Sequence, residues 1–436
     1  MVVTIVVLLI LAGVSISLIL DNNGIIKKSK DARREYRQAQ TNEQADLSDL
    51  SDWIDEATAE PTPKVNVNTK AEDNSTINGK KGNSNNPTVP KGYIPINTET
   101  SSWGDGTSAP SQDSVDHGLV IKDDSNNEWV WIPVDETTLA TMCNTSNETE
   151  NTLCGTAGKT AVKTKLYSKS EIISGQTRTT PGTSSSESYR EPDLVVRSGT
   201  SYDAEEEYYK TILGFDSKEK MAEAFVADYK EMIESIRIYG GFYIGRYELS
   251  EAGVQKNQPT LTNTNWYNLY AKCKSLNASD KVETRMIWGC QWDVTMNWLI
   301  SSGAKTSDEV NKDSSSWGNY KDSTGDAKVI VTENGTETQK YGIYNNTGYS
   351  EYWKANNIYD LAGNCYEWTQ EAFYISGRAV RGGCYTDGGS SYPASNRGGY
   401  GFPYLVNFSR FSSHFNNKVT LTLEREHQCE KTIKQI

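Results

Sequence analysis

The chain opens with an apolar run that constrains its fold more than any other feature. Residues 2–20, VVTIVVLLILAGVSISLIL, contain no charged side chain. An α-helix of that length reaches about 28 Å, close to the hydrocarbon thickness of a bilayer. No basic residue precedes the run and no small-x-small cleavage site follows it, which argues against a cleaved signal peptide. The pattern predicts a hydrophobic helix that continues into a solvated amphipathic helix, together covering residues 1–56.

Two polar segments frame the rest of the chain. Residues 57–92 are rich in Asn, Thr, Pro, Gly and Lys, and they carry few large apolar groups. Such a stretch buries too little area to offset its ordering entropy, so a flexible linker is predicted there. Residues 417–436 contain many Lys and Glu and are interpreted as a charged tail. The body between them, residues 93–416, is long enough for a sizeable core.

Within the body, two turn-rich polar stretches are typical of insertions, at residues 141–206 and 302–340. The second includes a predicted hairpin turn at Glu333-Asn334-Gly335-Thr336. Between them, residues 217–239 place apolar side chains from Met221 to Ile236 near helical spacing. This spacing predicts an amphipathic helix that packs on the core.

The amino-acid composition argues against some classes of function for this chain. The chain has a net charge of −13 with 11 Trp, 25 Tyr and only 3 His. The negative balance argues against a nucleic-acid partner. The seven Cys allow up to three disulfides, and the candidate pairs by proximity in sequence are Cys143–Cys154, Cys273–Cys290 and Cys365–Cys384. No spacing is CxxC, which argues against zinc.

The N-terminal segment resembles the first helix of type IV pilin-like proteins from low-GC Gram-positive bacteria. The resemblance lies in the apolar run followed by DNNGII at residues 21–26 and then by a charged helix. The chain departs from that family in lacking a basic leader, a Gly before the cut and a Glu early in the run. The resemblance implies a protein displayed on the cell surface, self-associating through this helix in a filament or anchored in the membrane. A plain single-span anchor is the alternative, for which the basic residues from Lys27 onward would place the body in the cytoplasm.

Six motifs of the body occur in the order of another family. NEWVWIPV (127–134), GGFYIGRYELS (240–250), a helix pattern at 263–276, TRMIWGCQWDV (284–294), NIYDLAGNCYEW (357–368) and RAVRGG (378–383) resemble the formylglycine-generating-enzyme family. The resemblance implies a C-type-lectin-like domain with loop insertions. The expected fold class is therefore α+β, with a long N-terminal hydrophobic helix joined to this domain.

The resemblance does not extend to the family's catalytic chemistry. Members use a closely spaced Cys pair after the R-G-G motif, which suits Cu(I). Alignment on Arg397 places Gly389 and Ala394 at those two positions. The three His are scattered, and no GxSxG, HExxH or P-loop spacing occurs. We therefore expect no enzymatic activity and no required cofactor, with an oxidase of the family's type as the alternative.

A calcium ion is the one cofactor that the resemblance adds. Family members often hold calcium at the turn that corresponds to residues 360–367, where Asn364 and Glu367 would supply oxygen ligands here. Alternatively, Asn364 caps the turn and Glu367 pairs with Arg378 or Arg381 as a buried contact.

The stretch from Cys384 to Asn407 mixes Tyr, Ser, Gly and Asn, as antibody binding loops do. It also resembles the variable region of proteins diversified by retroelements, in which exposed positions alternate with fixed ones. This resemblance implies that an unknown protein or glycan ligand contacts Tyr385, Asp387, Ser391, Tyr392, Asn396, Tyr400, Phe402, Tyr404 and Asn407. Pro393, Ala394, Ser395 and Arg397 would be scaffold. The alternatives are an ordinary loop with structural tyrosines and a purely structural pilin.

Overall fold

A computed structural model describes residues 62–142, 189–190, 209–277, 279–333, 336–340, 342–373, 377–400, 415–416 and 418–423. Most strands belong to two sheets. The strands are β1 (Ile94–Ile96), β2 (Val120–Lys122), β3 (Glu128–Pro133), β4 (Tyr189–Arg190), β5 (Gly241–Gly245), β6 (Val282–Met286), β7 (Val329–Glu333), β8 (Thr336–Lys340), β9 (Lys354–Ala355), β10 (Ile358–Tyr359), β11 (Tyr366–Phe373), β12 (Gly377–Arg381), β13 (Arg397–Tyr400), β14 (Phe415–Asn416) and β15 (Val419–Leu423).

The six-stranded sheet has the order β1-β2-β3-β5-β15-β6, with every neighbouring pair antiparallel. β5 and β15 are buried along their whole length. Trp131 of β3 lies opposite Tyr243 of β5, and their ring centroids are 4.9 Å apart. Because both faces of these central strands are covered, the sheet forms the interior of the body.

The second sheet has the order β13-β12-β11-β14, with β4 also paired to β11. β14 runs parallel to β11, whereas β12 and β13 are antiparallel to their neighbours, so the sheet is mixed. Two hairpins, β7–β8 and β9–β10, stand apart from both sheets. The turn between β7 and β8 joins Glu333 to Thr336, which confirms the predicted hairpin.

The helices with described bounds are α1 (Gln112–Asp116), α2 (Glu136–Met142), α3 (Lys218–Tyr239), α4 (Trp266–Lys274), α5 (Gly289–Ser301) and α6 (Ser307–Asn311). α3 confirms the amphipathic helix predicted over residues 217–239. Ser217 caps its first turn through its side chain, and Gly240 ends it in the left-handed conformation. Met221, Phe225 and Ile236 on its apolar stripe are buried, and the helix packs against β5 and β15.

The predicted fold class, an α+β fold with a long N-terminal hydrophobic helix joined to a C-type-lectin-like domain, is wrong. The described residues form mixed and antiparallel sheets with few helices. No helix within these ranges is both long and apolar enough to span a bilayer. α3 has 22 residues, but its outer side carries charged groups such as Lys230 and Arg237. The predicted helix at residues 1–56 lies outside the described part of the chain.

The predicted flexible linker is wrong for residues 62–92, which are folded. Val65, Ile77 and Val89 are buried there. The indole of Trp131 donates to the carbonyl of Ser84, and the hydroxyl of Tyr243 donates to the carbonyl of Thr88, at 2.9 Å each. Polar side chains also hold this segment locally, as Asn86 does through its amide and the carbonyl of Lys81. Hydrogen bonds of this kind replace the large apolar contacts that the segment lacks.

The boundary predicted at residue 416 is also wrong, because the chain beyond it supplies β15. This strand lies between β5 and β6, with Leu421 opposite both Tyr243 and Thr284. Its VTLTL sequence is rich in β-branched side chains that suit a strand. Residues Val419–Leu423 therefore belong to the core sheet rather than to a charged tail.

The four described cysteines, Cys273, Cys290, Cys365 and Cys384, form no disulfide bond. The candidate pairs Cys273–Cys290 and Cys365–Cys384 are therefore not bonded. Burial raises the pKa of Cys273 above its ordinary value. Cys143, Cys154 and Cys429 lie outside the described residues.

Candidate functional site

The candidate binding stretch begins as the loop that joins β12 to β13, residues 382–396, called here the β12–β13 loop. Arg381 and Arg397 are paired across the two strands at its base. Each guanidinium contacts one oxygen of Asp293 on α5, at 2.9 Å and 3.0 Å, and both also contact Glu371 of β11. We call these four side chains the arginine–carboxylate network.

Two glycines start the loop, because no other residue fits there. Gly382 and Gly383 both have φ near +80°, at 80° and 75°. A Cβ on Gly382 would lie 2.3 Å from a carboxylate oxygen of Glu367, and one on Gly383 would lie 2.6 Å from the carbonyl of Tyr392. The backbone therefore passes close to β11 at these two glycines and turns back over it.

The inner side of the loop is fixed by the segment that the sequence assigned to an insertion, residues 302–340. The amide of Gly389 donates to Asp322 at 2.8 Å, and the amide of Ala394 donates to the Ser314 hydroxyl at 2.9 Å. The indole of Trp292 on α5 donates to the carbonyl of Ala394 at 3.1 Å. The buried residues of the loop therefore form a fixed base, and the proposed scaffold residues Pro393 and Ala394 are among these buried residues.

The outer side of the loop carries the exposed residues. Tyr392 is 39% exposed, and Ser391 and its neighbours Ser390 and Thr386 are exposed as well. Tyr385 and Asp387 are half-buried. Together, these side chains form an outward surface on a fixed base.

The remaining candidate contacts divide into two groups. Asn396 is half-buried, and its side-chain nitrogen is enclosed, which fits a scaffold position better than a contact position. Tyr400 ends β13 opposite Arg378, but its side chain lies outside the described part of the structure. Phe402, Tyr404 and Asn407 lie outside it entirely.

Sequence reasoning missed Tyr366 as a member of this surface. Tyr366 begins β11 and meets Tyr392 edge to face, with ring centroids 6.1 Å apart and planes at 80°. Burial raises the pKa of the Tyr366 hydroxyl, and a hydrogen bond to Asp387 raises it further. A signal existed, because strand alternation places Tyr366 on the opposite side from the buried Glu367.

Tyr344 is a second aromatic neighbour that the sequence did not mark. Its ring meets that of Tyr385 at 6.1 Å and 62°. Its hydroxyl donates to the carbonyl of Thr260 at 3.0 Å. Burial raises the pKa of Tyr344 to about 12, so the hydroxyl stays neutral in ordinary buffers. One edge-to-face tyrosine pair thus includes Tyr385 of the turn at residues 384–387, and the other includes Tyr366, whose hydroxyl bonds Asp387 of the same turn.

The proposed calcium ligands have other surroundings. The side-chain oxygen of Asn364 accepts from Asn319, and its nitrogen donates to Glu248 at 2.7 Å, so protein groups occupy both ends of the amide. Glu367 is fully buried, and neither of its oxygens has a hydrogen-bond partner among the described residues. Burial and the neighbouring Glu248 carboxylate raise its pKa well above the ordinary 4.5. Among the described residues, no group of His, Cys, Asp and Glu could hold a metal ion.

The alternative role for Glu367, a salt bridge with Arg378 or Arg381, is also not observed. Arg381 pairs instead with Asp293 and Glu371. Arg378 donates to the carbonyl of Gln370 and lies 4.1 Å above the ring of Trp266. The neutralising cation near Glu367 is Lys418, a buried residue directly before β15 that donates to the carbonyl of Tyr359.

Comparison with known proteins leaves this chain without an assigned family. No family model matches it, and no curated protein matches it. The resemblances to pilins and to the formylglycine-generating-enzyme family therefore gain no support. A solved structure, Treponema denticola variable protein 1, aligns with 42% of this chain and 84% of its own length, at 15% identity and a TM-score of 0.25. Similarity at that level does not establish a common function.

Proposed function

We propose that this chain is a ligand-binding protein whose contact surface is the outer side of the β12–β13 loop. The observation that carries the proposal is the division of the loop into two sides. Its inner side is held by backbone hydrogen bonds and by the arginine–carboxylate network, whereas its outer side presents Tyr392 and small hydroxyl residues. Rigid aromatics with adaptable polar neighbours are typical of binding loops.

The same division supports the finer proposal that the outer positions vary among copies of the protein. Thr386, Ser390, Ser391 and Tyr392 are exposed, so most side chains are compatible with the fold there. Gly389 cannot vary in this way, because a Cβ there would lie 2.4 Å from the amide of Ser315. Variation at the outer side alone would change the ligand and keep the scaffold.

The proposal requires neither catalysis nor a bound cofactor, and it is compatible with display on the cell surface. Protein and glycan ligands both remain candidates, because tyrosine and hydroxyl side chains contact either class. A nucleic-acid ligand is disfavoured by the charge of −13.

The test is a binding screen of the full chain on arrays of proteins and glycans, repeated with loop variants. Tyr392→Ala and Ser391→Trp should remove specific binding and leave the melting temperature unchanged. Tyr352→Ala is the matched control, because Tyr352 is 57% exposed and lies outside the loop. Specific binding that survives both loop changes and is lost with Tyr352→Ala would refute the proposal.

A second experiment addresses variation. A displayed library randomised at Thr386, Ser390, Ser391 and Tyr392 should remain folded in most members. A library of equal size at Gly389, Pro393, Ala394 and Arg397 should be mostly unfolded, because these positions are buried. Equal folded fractions in the two libraries would contradict the division between scaffold and contact positions.

A further inference from the structure

We propose that the turn at residues 384–387, with the two tyrosine pairs beside it, binds a cationic side chain, a lysine ammonium or arginine guanidinium presented by a protein partner. This inference rests on the proposed function, because it names the ligand chemistry of that surface. We call the group of Tyr344, Tyr366, Tyr385, Asp387 and Tyr392 the tyrosine–aspartate cluster.

A fixed carboxylate is the first element of this site. Asp387 accepts a hydrogen bond from the amide of Cys384 at 3.1 Å, and the hydroxyl of Tyr366 donates to it. The backbone of the residue is held as well, since its amide donates to the carbonyl of Cys384 and its carbonyl accepts from Lys321. Asp387 is nonetheless only half-buried, so a ligand can reach a carboxylate that is already oriented.

Aromatic rings at the same turn are the second element. Tyr366 and Tyr392 form one edge-to-face pair, and Tyr344 and Tyr385 form the other, each with centroids 6.1 Å apart. All four side chains keep some exposure. A cation near the face of a tyrosine ring is attracted by the ring's quadrupole, and a nearby carboxylate adds a direct charge interaction.

The charges around the cluster favour a cation over an anion. The two arginines at the base of the loop are turned inward and engaged by Asp293 and Glu371. In the described part of the supporting segment, four acidic residues are exposed, Asp308, Asp313, Asp322 and Asp326, against three exposed basic residues, Lys312, Lys321 and Lys328. Together with the Asp387 carboxylate of the cluster itself, this small acidic excess favours a basic ligand over an anionic one.

The probe is decalysine, with decaglutamate as the opposite-charge control, titrated against the full chain at low and physiological salt. Asp387→Asn should weaken decalysine binding about fivefold, and Tyr392→Ala about threefold, as expected for one partly screened charge and one exposed ring. Lys321→Gln should strengthen it by a similar factor, because it removes a positive charge from an exposed residue whose backbone amide bonds the Asp387 carbonyl. Decaglutamate should not bind.

Binding at the cluster must be distinguished from nonspecific attraction, because a chain with a net charge of −13 attracts polycations over its whole surface. Glu251→Gln is the matched control, because it removes one negative charge at a side chain that is 82% exposed and lies away from the loop. Equal effects of Glu251→Gln and Asp387→Asn would overturn the inference. So would unchanged binding in Lys321→Gln, a surface change that avoids any folding defect of Asp387→Asn.

The two proposals fail in different ways. The array screen can find ligands whose binding depends on Tyr392 but is unaffected by substitution of Asp387 or Lys321 and by salt. In that case the proposed preference for a cationic ligand is wrong, and the proposal that the loop binds a ligand is retained. If decalysine binding depends on Asp387 but the loop substitutions leave binding of the array ligands unchanged, the cationic site exists but is not the protein's main binding surface.

Discussion

Arg381 and Arg397 face each other across β12 and β13 and share the two oxygens of a single carboxylate, that of Asp293, at 2.9 Å and 3.0 Å. This arrangement joins the two ends of the β12–β13 loop to α5 through charged groups that are almost fully buried. The loop is therefore a closed unit on the scaffold, and its outer residues do not need to contribute to stability.

Removal of Asp293 tests that relationship. Asp293→Ala leaves two buried guanidinium groups with one carboxylate, and an uncompensated buried charge costs about 3–5 kcal/mol. Urea unfolding should show a loss of that size, and hydrogen exchange should become faster for the amides of residues 384–396. Asp308→Ala, at a side chain that is 71% exposed, should change stability by about 0.5 kcal/mol or less. A similar small effect for Asp293→Ala would show that the network does not hold the loop.

The first turn of the loop gives a second prediction, with an internal control for backbone strain. Gly383 and Gly303 have nearly the same φ, 75° and 76°, but only Gly383 is crowded. Gly303→Ala should cost about 1–2 kcal/mol from the left-handed conformation alone. Gly383→Ala should cost a further 1–3 kcal/mol or so, because its Cβ would contact Tyr392 and Tyr320. Thermal melts of both variants measure the difference, and equal costs would mean that the turn has room to relax.

Local sequence patterns anticipated the elements that local interactions stabilise. The spacing of Met221 and Phe225 located α3, and Asn334-Gly335 located the hairpin between β7 and β8. Each of these features depends on residues within a few positions of one another, so the signal is present in the sequence itself.

Features that depend on distant partners were not predicted. β15 is a strand because Tyr243 and Thr284 lie on either side of it, and both are more than 130 positions away in the sequence. The segment at residues 62–92 has a polar composition typical of a linker, but the carbonyls of Ser84 and Thr88 accept from buried Trp131 and Tyr243. Tyr366 joins the binding surface for the same reason, since its partner Tyr392 follows a different strand.

The role of β15 can be tested at its centre. Leu421 is fully buried between two strands, so Leu421→Ala should destabilise the body by about 2–5 kcal/mol. Leu421→Met conserves volume and should cost less than about 1.5 kcal/mol. Circular dichroism melts of the two variants distinguish a core strand from a dispensable tail, for which neither change would matter.

The raised pKa of Glu367 predicts that the free energy of unfolding falls as pH rises, which is opposite in sign to the effect of an ordinary surface carboxylate. Burial and the Glu248 carboxylate raise its folded-state pKa well above 4.5, while Lys418 opposes the shift. Below about pH 4.5 the residue is protonated in both the folded and unfolded chain and has no effect on their balance. Above that pH the unfolded chain releases the proton and the folded one retains it, so stability falls as pH rises toward the folded-state pKa.

Glu367→Gln removes this titration and keeps the shape of the side chain. Within the described part of the chain, neither oxygen of Glu367 has a hydrogen-bond partner to lose, so the variant should match the parent near pH 4.5 and become progressively more stable than the parent toward pH 8. Melting temperatures across that range measure the difference, and Glu72→Gln, at an exposed side chain, controls for the change in net charge. A constant difference between variant and parent at every pH would mean that Glu367 is ionised in the folded protein, with Lys418 as its effective counter-charge.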